Sequence, residues 1–359
     1  MDVRVLFLTK LGNGYGWSYS GGRPSSGLKN SVAFVVDALN ANGISAESVE
    51  VVDNNAIDRE VTKYRPTHCI IEALWVVPEK FAVLSRLHPR VQWIIRLHSE
   101  IPFLAQEGMA MEWLLRYLDY PNVSLAFNSL RTRDDFRRLL AGKYGVEEVT
   151  ARVIYLPNCY DVGPIPQLAP KPDAGIAVDI GCFGAIRPLK NQLLQAVAAM
   201  VWANSRGLKL RFHINSTRVE QKGDPVRNNL VALFKHSLGH ELIQHPWLAH
   251  DEFLKVVQTM DMGLQVSFTE TFNIVSADFA SQGVPIIVSK EIPWVSAFYQ
   301  VSSPTSLEAI IDRLAFAYDT LTGSPRILNH SRLRHTAVHA EQEWIAYLLG
   351  ENLGQQEAA

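Results

Sequence analysis

Four charged residues carry the most chemistry in this sequence. Glu270 and Asp278 stand eight positions apart, with Gly283, Val284 and Pro285 just beyond, and Arg187 and Lys190 lie well upstream. Carboxylates in this setting can accept hydrogen bonds from a ligand's hydroxyls. A planar guanidinium fork and a compact ammonium both suit the oxygens of a diphosphate. The local pattern says where these groups sit. Residues 262–268 (MGLQVSF) read as a short apolar strand and 269–273 as a turn. Residues 274–282 (IVSADFASQ) have the apolar spacing of a helix; Gly283 stands where a left-handed C-terminal cap belongs, and Pro285 forbids continuation. With the next strand over 284–289 this is a βαβ unit, whose helix begins at the carboxyl edge of a parallel sheet, where ligands bind. Backbone N–H groups and the positive end of the helix dipole at Asn273, Ile274 and Val275 would attract a phosphate. Taken alone, the stretch fits equally a surface Glu and a helix-facing Asp with no ligand.

The upstream stretch supplies the cations. In 178–192 (VDIGCFGAIRPLKNQ) a strand over 177–183 runs into Gly184, and Arg187 and Lys190 follow just before a helix over 192–204. A basic pair in a loop is usually a solvated surface; beside the Glu270 segment it becomes half of an anion site.

Together the two segments resemble the C-terminal half of the GT-B glycosyltransferases of the large retaining, glycogen-synthase-like type (glycosyl transferases group 1). The resemblance implies that Arg187 and Lys190, after Gly184, clamp the donor diphosphate. It implies that Glu270 meets the donor sugar's hydroxyls and Asp278 the ribose. Phe272, Asn273 and Ile274 stand where the family has an aromatic-glycine-aliphatic turn. The chain departs from the pattern with Asn273 for Gly and Asp278 for Glu; Asn tolerates left-handed backbone and Asp is one methylene shorter. The implied fold is α/β, two Rossmann-like domains facing across a cleft, with a C-terminal helix crossing back to the first domain so that Trp344 and Tyr347 pack there. The implied reaction moves a sugar from a nucleoside-diphosphate sugar, with UDP-sugars such as UDP-glucose foremost, to a hydroxyl acceptor. Retention is expected, and neither a metal nor an obligatory cofactor.

Composition agrees. A chain of 359 residues, 47% hydrophobic and 19% charged, is a folded protein long enough for two domains of about 150 to 170 residues each. No apolar run reaches the length of a membrane span and residues 1–11 pattern as an internal strand, so a cytoplasmic protein is expected. Cys69, Cys159 and Cys182 are odd in number and scattered, which reads as reduced core thiols. Strands and helices alternate throughout: strands over 4–9, 45–52, 67–72, 91–97, 123–128 and 152–156, with helices over 27–42, 78–88, 108–117 and 131–141 between them. Pro164, Pro166, Pro170 and Pro172 mark a stiff connector. The expected division is an N-terminal acceptor domain over 1–165, a linker over 166–176, a donor domain over 177–330, and a crossover helix and tail over 331–359.

Other residues bear on the acceptor side. The loop 11–27 (LGNGYGWSYSGGRPSSG) does not match the dinucleotide G-x-G-x-x-G fingerprint, because Trp17 breaks it, which disfavours a nicotinamide dehydrogenase. Its aromatics could stack on a sugar or a base, and the resemblance places Gly21, Gly22 and Gly27 against donor phosphates. His98 ends a strand at the carboxyl edge; it either caps the following turn or, as the resemblance implies, contacts the donor sugar. Glu100 could serve as a general base if the enzyme inverts, and Asn158 reads as a turn residue. The N-terminal half also looks like glycosyltransferases encoded by tailed bacteriophages, which makes hydroxymethylated DNA bases an acceptor candidate beside a glycan. Arg131, Arg133, Arg137, Arg138 and Lys143 offer a basic helix face for DNA, although Asp134 and Asp135 interleave and the net charge is −2. A nucleotide-sugar 2-epimerase and a non-catalytic sugar-nucleotide-binding protein are the rival readings.

Overall fold

The computed structural model describes residues 3–11, 27–169, 171–220, 222–321 and 325–351. Gly21 and Gly22, with Trp17, lie outside the described residues. The described chain forms two compact units, one of residues 3–11, 27–161 and 337–351 and the other of residues 162–336.

In the first unit β1 (Arg4–Lys10), β2 (Ser45–Val51), β3 (His68–Glu72), β4 (Gln92–Leu97), β5 (Val123–Phe127) and β6 (Val153–Tyr155) form a parallel sheet in the order β2-β1-β3-β4-β5-β6. The linking helices are α1 (Gly27–Ala41), α2 (Ile57–Tyr64), α3 (Lys80–Leu87), α4 (Ile101–Leu104), α5 (Ala110–Leu114), α6 (Leu130–Tyr144) and α7 (Val146–Arg152). Apolar runs such as RVLFL are what a sheet covered on both faces needs. Alternation sends Leu6 and Leu8 into one core with Trp93 and Phe81, and Val5 and Phe7 into the other with Ile70 and Ile94. All three cysteines are buried free thiols, as their scatter implies.

In the second unit β7 (Ala177–Gly181), β8 (Lys209–Asn215), β9 (Glu241–His245), β10 (Met262–Gln265) and β11 (Ile286–Val288) form a parallel sheet in the order β11-β10-β7-β8-β9. Its helices are α8 (Gln192–Arg206), α9 (Asp224–Lys235), α10 (His250–Gln258), α11 (Ile274–Ser281) and α12 (Leu307–Asp319). The chain works outward from β7 through β8 to β9, then returns to the far side of β7 for β10. The strand order therefore reverses between β7 and β10, and in open α/β sheets that reversal opens a crevice at the carboxyl ends. Glycines bring α11 close: a Cβ on Gly181 or Gly263 would come within 2.8 Å and 2.6 Å of the Phe279 ring, so only bare backbone lets that ring lie on the sheet. Under the sheet, Asp179 accepts from Arg211 at 2.6 Å, Lys171 at 2.8 Å and His213 at 2.9 Å. Burial works to raise this carboxyl, but the three cationic or N–H partners prevail and hold it well below the usual range.

The last helix, α13 (Pro325–Leu349), starts earlier than the expected residue 331, at a proline, the residue best suited to a first helical position. Its later part belongs to the first unit. There Trp344, fully buried, stands 5.6 Å from Phe7 and donates from its indole nitrogen to the Pro157 carbonyl at 2.8 Å. Tyr347 meets His68 edge-on. No described helix is long and apolar enough to cross a membrane.

Candidate functional site

The loops after β7 and β10 meet at the reversal of the second sheet. Gly184 follows β7 with φ of +106°, backbone that a side chain would strain, and its N–H donates to Asn215 Oδ1 at 2.9 Å. A Cβ at Gly184 would lie 3.9 Å from Val275 Cγ2 and 4.0 Å from Lys190 Cε, so this turn lies against both the first turn of α11 and the lysine. Three amides shape the loop that follows. The Gln192 side chain spans the Arg187 N–H and the Ala185 carbonyl, and Asn191 donates to the carbonyls of Val266 and Pro304. Gln195 donates to the Lys190 carbonyl and accepts from the Val266 N–H, each at 2.8 Å.

Lys190 is thereby aimed at Glu270, and ammonium and carboxylate form an ion pair whose side chains are only 11% and 9% exposed. Burial depresses the Lys190 pKa and Arg187 adds to this, while Glu270 works the other way. Arg187 Nη1 lies 3.6 Å from Glu220 Oε2. Residues 80 positions apart in sequence thus share one charge site.

The expected strand over 262–268 stops at Gln265 because the next N–H groups leave the ladder: Val266 turns to Gln195 and Phe268 to the Leu189 carbonyl. Gln265 itself donates to the Phe183 carbonyl at 2.8 Å and accepts from Asn273 Nδ2 at 2.9 Å, tying the two loops together. Asn273 takes up the left-handed conformation, with φ of 59°, and its Oδ1 caps α11 by accepting from Ser276 N at 2.8 Å. The departure from Gly at this position therefore retains the backbone shape and adds a cap. The N–H groups of Ile274 and Val275 belong to the same first turn as the capped Ser276. The Phe272 ring is buried against Trp294, which donates to the Phe272 carbonyl at 2.7 Å, so this aromatic builds the turn from within the core. Asp278 is 2% exposed, and its Oδ1 accepts from His250 Nε2 at 2.8 Å.

In the first unit, the carboxyl edge carries a second polar cluster. Glu72 and Arg96 face each other in the β3–β4 register and are fully buried, with Nη1 to Oε1 at 3.1 Å. Arg96 also donates to the carbonyls of Leu156 and Pro157 and, at 2.7 Å, to Asn158 Oδ1. Asn158, expected as a turn residue, is thus a buried partner of that guanidinium. His98 lies 2.5 Å from Glu72 Oε2 through Nε2, with Asn128 Nδ2 at 3.5 Å from Nδ1. Burial and Arg96 depress the His98 pKa against the pull of Glu72. Burial raises the Glu72 carboxyl, but Arg96 and His98 more than offset this and leave it below its ordinary value.

Glu100 and the basic face of α6 both have partners within the first unit. Glu100, considered as a general base, is 4% exposed and takes hydrogen bonds from Ser129 Oγ, Thr132 Oγ1 and Arg131, so it fastens the start of α6. The basic face of α6 is engaged within its own unit. Arg133 and Arg138 pair with Asp134 and Asp135, Arg137 holds the carbonyls of Val153 and Thr150, and Lys143 pairs with Asp119. Among the described residues no group of three or more His, Cys, Asp and Glu is gathered as a metal ion would need.

No protein-family model and no curated protein matches this chain. Solved structures do. The chain is similar to a sucrose-phosphate synthase from Thermosynechococcus elongatus, with a TM-score of 0.66 at 14% identity over 97% of this chain and 100% of that one. It is similar to a UDP-forming alpha,alpha-trehalose-phosphate synthase from Burkholderia xenovorans, with a TM-score of 0.63 at 12% identity over 97% and 99%. A third structure, of trehalose-6-phosphate from E. coli bound with UDP-2-fluoro glucose, gives a TM-score of 0.65 at 12% identity over 96% and 98%. Likeness at such low identity speaks for the fold: α/β, with two Rossmann-like units, of the GT-B class.

Proposed function

We propose that the second unit binds the diphosphate of a nucleoside-diphosphate sugar and that the protein transfers the glycosyl group to a hydroxyl acceptor with retention. The observation that carries this reading is the buried Lys190–Glu270 pair, set beside Gly184 and the amino end of α11 where the sheet order reverses. Lys190, Arg187 and the first-turn N–H groups supply positive charge where a departing diphosphate accumulates negative charge. Glu270 accepts from the sugar's hydroxyls. The bond from the anomeric carbon to the phosphate oxygen breaks, the acceptor oxygen bonds to that carbon from the same face, and the acceptor's proton passes to the departing phosphate oxygen. Asp278 belongs to the ribose end of the donor, and His98 is assigned to the donor sugar as the resemblance implies.

Support also comes from the similar folds, whose names are those of sugar-phosphate synthases, one of them bound with a UDP-sugar analogue. A further trehalose-6-phosphate synthase structure concerns glycosyl transfer with retention. We take the acceptor to be the hydroxyl of a sugar or glycan in preference to a DNA base, since the cations that DNA would use on α6 are engaged with acidic groups and carbonyls of their own unit. A thermal-shift screen of nucleoside-diphosphate sugars tests the donor. The stabilising donor is then incubated with a sugar panel, and with hydroxymethylated duplex DNA, under mass analysis. Transfer with release of the nucleoside diphosphate is expected. Conversion of the donor sugar without any acceptor would make the protein an epimerase, and binding with neither transfer nor hydrolysis would make it a binding protein.

A further inference from the structure

Within the donor site so proposed, on whose assignment this inference rests, one residue stands out that no sequence pattern marked. Asp278 lies four residues beyond Ile274, about 6 Å along α11 and on the same face as its first turn. A ligand that places its diphosphate at the amino end of α11 and continues along the helix therefore brings its next group, a polyhydroxyl ring, to this position. The carboxylate is poorly placed to receive it. Asp278 has a side chain 3% exposed, and one of its oxygens is committed to His250. His250 is the more exposed of the two: its side chain is 20% exposed, and it opens α10, which packs beside α11. A second link, Gln258 Nε2 to Gln282 Oε1 at 2.8 Å, joins the last residue of α10 to the residue that follows α11.

We propose that His250 is the residue that hydrogen-bonds the ribose hydroxyls of the donor, and that Asp278 is a positioning residue that orients its ring. The shorter Asp fits this arrangement, because the imidazole spans the distance that the carboxylate does not. The acidic groups acting on His250 are Asp278, which raises its pKa through their hydrogen bond, and Asp251, the next residue of α10, which adds to this; burial opposes them.

The test uses titration calorimetry of the full chain with UDP, GDP and ADP and with their 2′-deoxy and 3′-deoxy forms. A ribose contact is read as the ratio of affinities, ribo over deoxy, which a general loosening of the fold would leave unchanged. The wild-type ratio for the preferred nucleotide is expected at about tenfold or more, the scale of a hydrogen bond to a charged group. His250→Ala should bring the ratio to about one, and Asp278→Asn should lower it part of the way. His250→Gln, which retains a hydrogen-bonding group, should restore part of the ratio and serves if the alanine variant folds poorly. A wild-type ratio of one, or a full ratio in His250→Ala with its loss in Asp278→Asn, would overturn the proposal and give the ribose to the carboxylate or to neither residue. Failure of the wild type to bind any of the three nucleotides would instead overturn the donor-site reading on which it rests.

Discussion

Lys190 already has an anion in the ligand-free protein, and that makes the two halves of its ion pair separable by experiment. An incoming diphosphate must share the ammonium with Glu270 or displace it. Lys190→Ala removes the attraction and leaves a buried carboxylate facing the phosphates. Glu270→Gln keeps the shape and the cation but removes the competing charge. A hydrogen bond to a charged group contributes about 1.5–3 kcal/mol, which at about 1.4 kcal/mol per tenfold corresponds to roughly 10- to 150-fold in affinity. The Kd of UDP, measured by calorimetry in moderate salt, should therefore rise by about that factor in Lys190→Ala. In Glu270→Gln it should stay level or fall, by up to about tenfold. The UDP-sugar should behave differently from UDP in Glu270→Gln, losing affinity relative to it because the sugar's hydroxyls lose a charged acceptor. Breaking a buried pair from one side also costs stability, on the order of 3–5 kcal/mol, so Lys190→Met, which retains the apolar stem, is the companion variant, with circular dichroism as the check on folding. Equal weakening of UDP binding by both variants would show that the pair is an internal strut with no part in anion binding, and the donor-site argument would fall with it.

Two further outcomes concern the scaffold. Asp179 has a carboxyl depressed below its unfolded value of about 4, so the stability it confers is fully present above that pH and drains away as pH falls toward the folded value. Urea midpoints should drop between pH 6 and pH 3 more in the wild type than in Asp179→Asn, which at pH 7 should itself be less stable by about 3 kcal/mol; an equal drop in both would refute the assignment. Gly263→Ala, whose Cβ would meet Ile286 Cδ1 at 2.5 Å and Phe279 Cε1 at 2.6 Å, should cost about 1–3 kcal/mol and weaken nucleotide binding by pushing α11 off the sheet. Gly142→Ala, on an exposed stretch of α6 with nothing within 4 Å, should stabilise by about 0.5–1 kcal/mol in the same denaturation assay, and the opposite signs are the check.

Much of the second unit's site was legible because its determinants are local. Gly184, Lys190, Glu270 and Asn273 each sit at a strand end or helix start that apolar spacing and turn residues mark within a dozen positions. Their joining into one donor site came from the resemblance and not from spacing, since Lys190 meets Glu270 through the return of the chain to the far side of β7. The same holds for Glu72 and Arg96, which become partners through strand register, and for His250, which becomes one through the packing of two helices. The helices absent from the apolar spacing include α2, which buries Ile57, Glu60 and Val61 within only eight residues. α7 and α10 each fully bury a single residue, Val149 and Val257. α9 opens on Asp224 and Pro225, good first-turn residues that read as loop without the structure. Strand ends were overestimated where side-chain amides such as Gln195 draw the backbone out of the ladder, because such captures depend on a distant residue.

The first unit is finished by the last helix of the chain. Trp344 and Leu348 complete the apolar layer built on Val5, Phe7, Ile70 and Ile94, and Arg96 lies 5.2 Å beneath the Trp344 ring. During synthesis those partners are separated by the entire span of residues 162–336, which emerges uninterrupted and can close its own core first. The earlier-made unit should therefore carry an uncovered apolar flank until residues 337–348 have emerged and packed against it.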